Sequence, residues 1–299
     1  MLIDTHVHLF SKFCGMRGGL PTVSLTHGQV QNGNEILQVL PPSYIQTSST
    51  LEVYWRYMQR QKVDKAILMP NIFYGYHNDY YLEAVKKYPR HLKAVALVDV
   101  LQGELAVQGL EKLHQEGLFG LKIETGTAFQ CEREVDLDDR RIQPVWQYCN
   151  DTRQFIFLHL THKRFLASLG TLCKSYPNIR FVICHLGAEA VLEPEDPETF
   201  AMLLEFFQKH ENTYAELSAV QYHFRREACP FVRAAFYIEE CYRTIGGSRM
   251  IWGSDYPGIC TMQTYEQTIH QICEHCKIIS SDDLDRIMGQ NALELFFVI

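Results

Sequence analysis

What this sequence lacks narrows its class at once. It has no Lys/Arg block and its formal net charge is −7, so it offers no basic face for a nucleic-acid backbone. No apolar run approaches the ~20 residues of a membrane span, and no basic region followed by an apolar core opens the chain. The expected partner is therefore a small molecule, with neither nucleic acid nor membrane involved, and the expected compartment is the cytoplasm. No compact framework gathers the ten cysteines, which read as reduced thiols scattered through strands and helices. A single CxxC, Cys273 to Cys276, has no second pair to complete a zinc site and reads as helix packing. No glycine-rich phosphate fingerprint follows the first apolar strand, which counts against a doubly wound nucleotide-binding sheet. No linker rich in Pro, Ser or charge divides the chain, and Pro194 to Pro197 reads as a local helix entry.

What is present is a repeating rhythm. With 299 residues, 46% hydrophobic and 21% charged, the chain can bury a sizeable core. Short, almost continuously apolar runs suit strands buried on both faces: LIDTHVHLF, DKAILMP, LKAVALVDV, FGLKIET, FIFLHL, IRFVICHLG, TYAELSA and SRMIWGSDYPG. Amphipathic helix patterns separate them, for example Thr50 to Gln61 and Glu104 to Glu116, in units of about thirty residues. Eight such units predict an α/β fold, a (β/α)8 TIM barrel, formed as one domain over residues 1–299. A long polar segment at about 11–49, after strand one, is too long for a plain connection and predicts a functional or partly structured insertion.

Catalytic groups of such a barrel collect at the C-terminal ends of its strands. Strand one ends with His6 and His8, two apart and so on one side of a strand, where both imidazoles can reach one ion. Strand five ends with His159, strand six with His185 and strand eight with Asp255. Singly, each histidine could be a satisfied strand-end residue and Asp255 a turn cap. Together, five donors on one rim suit a divalent metal with a position left open for water.

The order of HVH, FLHL around His159, ICHLG around His185, WGSDYP around Asp255 and the ending GQNALELF resembles the amidohydrolase superfamily. It is most similar to the branch that includes aminocarboxymuconate semialdehyde decarboxylase and related hydrolases. The resemblance implies a distorted barrel holding one divalent metal ion, zinc first, with manganese or another divalent ion as the alternative. It makes His6, His8, His159 and Asp255 the metal ligands, and it implies a homodimer. His185 becomes an acid/base beside the metal, or a ligand if a second ion binds, and Asp255 the group that takes a proton from water. Lys122 and Glu124, two apart near the end of strand four, could serve a second metal or the substrate, or form a buried ion pair. His162 reads as a loop histidine. Arg17, Arg164 and Arg225 or Arg226 are the candidates for gripping an acidic substrate. The expected activity is hydrolysis of a small lactone, amide or ester by metal-activated water. The alternative is non-oxidative decarboxylation of an unsaturated or aromatic acid at the same site, and a non-catalytic metal-binding barrel is the third reading.

Overall fold

The computed structural model describes residues 1–126, 135–187 and 197–298. Strand β1 (Ile3–Val7) is buried along its whole length. Strands β2 (Met16–Arg17), β3 (Leu20–Ser24), β4 (Gln29–Asn32) and β5 (Glu35–Gln38) pair in order as an antiparallel sheet. The remaining strands are β6 (Lys65–Leu68), β7 (Leu92–Ala96), β8 (Phe119–Glu124), β9 (Phe155–His159), β10 (Arg180–Ile183), β11 (Thr213–Glu216) and β12 (Met250–Ile251). With β1 they form an eight-stranded sheet in the order β1-β6-β7-β8-β9-β10-β11-β12, every pair parallel. Its two ends meet. Thr5 N–H donates to Trp252 O at 3.2 Å and His8 N–H to Tyr256 O at 2.8 Å, closing the sheet into a TIM barrel.

The helices follow from apolar spacing. Leu51–Gln61 buries Leu51, Tyr54 and Met58 on one stripe, and Glu104–Glu116 ends where Gly117 turns left-handed at φ 118°. The helix expected after Pro194 begins at Pro197, and residues 194–196 lie outside the described residues. One helix, Tyr265–Cys273, escapes the strand-and-helix rhythm, although Thr264 and Gln267 form a capping box at its start. Cys273, its last residue, is exposed, while the buried Cys276 beyond the helix end lies 3.5 Å from Gln271 O, so of the CxxC only Cys276 packs. No helix among the described residues is long and apolar enough to cross a membrane.

The long polar segment is where β2 to β5 form. A satellite core of Phe10, Phe13, Val30 and Leu40, with Phe73 and Tyr74 against it, fastens that sheet to the barrel mouth. Gly28, at φ 74°, is required there, because a Cβ would sit 2.2 Å from Leu40 O.

Asp4 ties β1 to the far end of the chain. Its buried carboxylate accepts from Tyr54 Oη (3.1 Å), Tyr265 Oη (2.7 Å), Ser254 Oγ (2.7 Å), Ser254 N–H (2.8 Å) and His6 N–H (3.2 Å). Burial alone raises its pKa, and these donors oppose that rise. Asp4→Ala strands several buried donors at once and should cost about 3–5 kcal/mol of stability. A urea titration reads this directly, and an unchanged midpoint would mean that the network is dispensable.

Candidate metal centre

Strand β1 places His6 inside the barrel end and His8 one residue beyond it, while the turn after β12 brings Asp255 across from them. Asp255 N–H donates to His6 O at 2.9 Å, which fixes that turn against β1. Asp255 Oδ1 then lies 3.0 Å from His8 Nε2 and 3.8 Å from His6 Nε2. The donor atoms of His6, His8 and Asp255 all fall within 4.8 Å of one another, and all three residues are buried. The rim continues through rings. His185 lies 4.7 Å from His6 and 5.0 Å from His159, centroid to centroid.

The protons on these rings follow from what stands behind them. His8 Nδ1 is 2.6 Å from the carbonyl of Met69, which can only accept, so Nδ1 carries a proton and Nε2 is turned to Asp255 Oδ1. His6 Nδ1 faces Glu216 Oε2 at 3.3 Å and His159 Nδ1 faces Glu124 Oε1 at 3.6 Å. Burial holds His6 well below the usual imidazole range, and Lys122, His185, His8 and His159 push the same way. Its Nε2 is buried with no hydrogen-bond partner. With both rings neutral, two nitrogen lone pairs and a carboxylate oxygen point at one another. A divalent cation resolves that conflict, and His/Asp donors backed by carbonyl and carboxylate acceptors suit one.

A second cluster, His6, Cys184 and Glu216, lies alongside. Lys122 already brings positive charge there, with Nζ donating to Cys184 Sγ at 3.2 Å. Its hydrogen bond thus runs to sulfur, and its charge reaches Glu124 through space. Glu124 is buried, which raises its pKa, yet the His159 hydrogen bond and Lys122 hold it below the usual carboxylate range. Glu216 is pushed by burial up to about 8, against the pull of the His185 N–H, Ser218 and Lys122.

Above the histidines opens a cavity of about 670 Å³, the size of a small-molecule site, whose lining includes His8, Glu124, His159, His185 and Asp255. Arg17, from β2 in the insertion, and Arg225 also line it. Arg164 is not in that lining and places its guanidinium 4.3 Å from the Phe165 ring centre, while His162 Nδ1 accepts from Arg164 N–H at 3.1 Å. Two lining phenols went unread in the sequence. A Cβ on Gly258 would sit 2.9 Å from Tyr222 Oη, 3.6 Å from Asp255 Oδ2 and 3.7 Å from Tyr74 Oη, so the glycine keeps open the gap these groups surround. Burial raises both phenols well above the usual tyrosine range, leaving them as hydrogen-bond donors. Also unread was Glu216, whose signal was a carboxylate inside the apolar run TYAELSA. His8→Ala should lower metal content in purified protein, whereas His185→Asn should leave it near wild type. Loss of metal from His185→Asn, by elemental analysis, would move His185 into the ligand set.

Solved structures resemble this chain in fold. A probable 2-pyrone-4,6-dicarboxylic acid hydrolase from Acinetobacter baumannii, with citric acid bound, gives a TM-score of 0.72 at 20% identity, covering 99% of this chain and 98% of that one. An amidohydrolase from Burkholderia multivorans with bound zinc gives 0.72 at 15% identity, over 98% of both chains. A 2,6-dihydroxybenzoate decarboxylase complexed with 2,6-dihydroxybenzoate gives 0.62 at 14% identity, over 84% of this chain and 89% of that one. No curated protein matches the sequence. A family profile described as amidohydrolase matches residues 3–298, nearly the whole chain, and this protein therefore belongs to the amidohydrolase family.

Proposed function

We propose that the protein is a metal-dependent hydrolase of a small lactone, amide or ester, with one divalent cation held by His6, His8, His159 and Asp255. The observation that carries this reading is the buried meeting of His6 Nε2, His8 Nε2 and Asp255 Oδ1 beside a cavity of about 670 Å³. Zinc is the first choice for such donors, and the Burkholderia multivorans relative holds zinc. Once bound, the cation supplies Lewis-acid charge and brings the pKa of a water toward ~7.

The chain's own groups supply the rest. Asp255 turns Oδ1 to the histidines and Oδ2 to the gap kept open by Gly258, where it can take a proton from the attacking water. Tyr74 and Tyr222, protonated and facing the same gap, can donate to a substrate oxygen as charge grows on it. His185, its ring 4.7 Å from His6, lines the same cavity and can pass a proton to a leaving group there. We read the chain as one barrel domain, with the 11–49 insertion forming part of the cavity wall through Met16, Arg17 and Leu37.

Decarboxylation at the same residues is the second reading. Arg17 and Arg225 in the cavity lining favour it, since a carboxylate leaving as carbon dioxide needs a cationic grip. A panel of lactones, esters and unsaturated acids, followed for hydrolytic product and for released carbon dioxide, separates the two. With whichever substrate turns over, Asp255→Asn should lower kcat by about 10²–10⁴-fold, the usual size of a general-base contribution. Unchanged turnover would remove Asp255 from the chemistry.

A further inference from the structure

One carboxylate oxygen behind the metal centre does more than back a single ligand. Glu216 lies at the end of β11, fully buried, and its Oε2 meets three donors. His6 Nδ1 is at 3.3 Å, the backbone N–H of His185 at 3.0 Å and Ser218 Oγ at 2.8 Å. Ser218 Oγ in turn lies 2.7 Å from His185 Nδ1. A carbonyl also faces that nitrogen, since Ser218 O is 3.3 Å from it.

With Glu216 Oε2 as the acceptor, the proton count closes in one way. A serine hydroxyl has one hydrogen to give, and Glu216 Oε2 takes it. Ser218 Oγ must then accept from His185, so His185 Nδ1 carries the proton; the Ser218 carbonyl, which can only accept, demands the same. Both His6 and His185 are therefore held with Nδ1 protonated and Nε2 bare. The backbone around them is shaped for this. His185 (φ 57°) and Leu186 (φ 54°) after β10, and Ala219 (φ 51°) after β11, all adopt the left-handed conformation that non-glycine residues avoid.

We propose that Glu216 and Ser218 form a positioning relay. Glu216 Oε2 grips His6 directly and His185 through the Ser218 hydroxyl, so that one carboxylate sets the tautomer and orientation of both imidazoles. Neither residue touches the cavity. Ser218 and Glu216 act through the two histidines, coupling the group that holds the cation to the group placed for proton transfer. In consequence His185 begins a cycle as a proton acceptor at Nε2, and becomes a donor only after taking a proton there.

The relay rests on the reading that His6 holds a cation, and the test keeps the two apart. The full chain, labelled with ¹⁵N-histidine and loaded with zinc, is examined by NMR of its ring nitrogens, with His185 and His6 assigned by single substitution. The relay predicts protonated Nδ1 and bare Nε2 on both rings. A His185 with bare Nδ1 would overturn it, whether or not zinc binds, because the same spectrum can be taken without metal. Zinc affinity, by chelator competition, is then measured for His6→Ala, Glu216→Gln and Ser218→Thr. Glu216→Gln should bind zinc about 10–100-fold more weakly than wild type, the usual effect of removing a group that orients a ligand. Ser218→Thr, which keeps the hydroxyl, should retain both the wild-type affinity and the His185 tautomer. Undiminished affinity in Glu216→Gln would overturn the relay. Undiminished affinity in His6→Ala would instead remove His6 from the metal site and leave the tautomer result to stand by itself.

Discussion

The structure turns on a conflict between lone pairs. His6 Nε2, His8 Nε2 and Asp255 Oδ1 converge in a buried space, and each ring has already committed its proton to an acceptor behind it: Glu216 for His6, Met69 O for His8. Buried polar atoms without partners are costly, and three acceptors facing one another are costlier still. The fold holds them there nonetheless, because the neighbouring acceptors fix the rings and Asp4 fixes the turn that carries Asp255. Acceptors buried face to face in this way are the donor set that suits a cation.

That arrangement depends on where strands stop. β10, β11 and β12 each end within a few residues of a left-handed residue: His185, Ala219 and Asp255, the last at φ 60°. Such geometry in non-glycine residues is strained, and here it clusters around one centre. Each sharp turn aims a side chain, or the one beside it, across the barrel end instead of along it. The antiparallel insertion then supplies a wall for the cavity, anchored by Phe13, whose ring lies 5.2 Å from Phe73 and 5.1 Å from Tyr74.

Much of this was legible in the sequence, for identifiable reasons. Strand and helix alternation reads well because parallel strands are uniformly apolar and helices carry a 3.6-residue stripe, so the barrel and helices such as Glu104–Glu116 stand out. His6, His8, His159, His185 and Asp255 were visible because strand ends are where a barrel gathers its polar residues. The insertion's four strands were hidden, since their polar, glycine-punctuated residues pair with each other over a small satellite core. Glu216 and Ser218 were hidden for the opposite reason. They sit inside an apolar run, and nothing local says which way a buried carboxylate faces until the strands are closed into a ring. Lys122 shows the same limit: its neighbour Glu124 suggested an ion pair, and the barrel gave it Cys184 across the interior instead. The phenols of Tyr74 and Tyr222 come from separate loops that meet only around Gly258.

The central claim is that these bare nitrogens and the Asp255 carboxylate exist to hold one ion. Anomalous X-ray diffraction from crystals of the zinc-loaded protein, with data on both sides of the zinc edge, tests it most directly. The account predicts one anomalous peak, bonded to Nε2 of His6, His8 and His159 and to a carboxylate oxygen of Asp255. A peak bonded instead through Nδ1, a peak among Cys184 and Glu216, or no peak in protein that remains folded would contradict it.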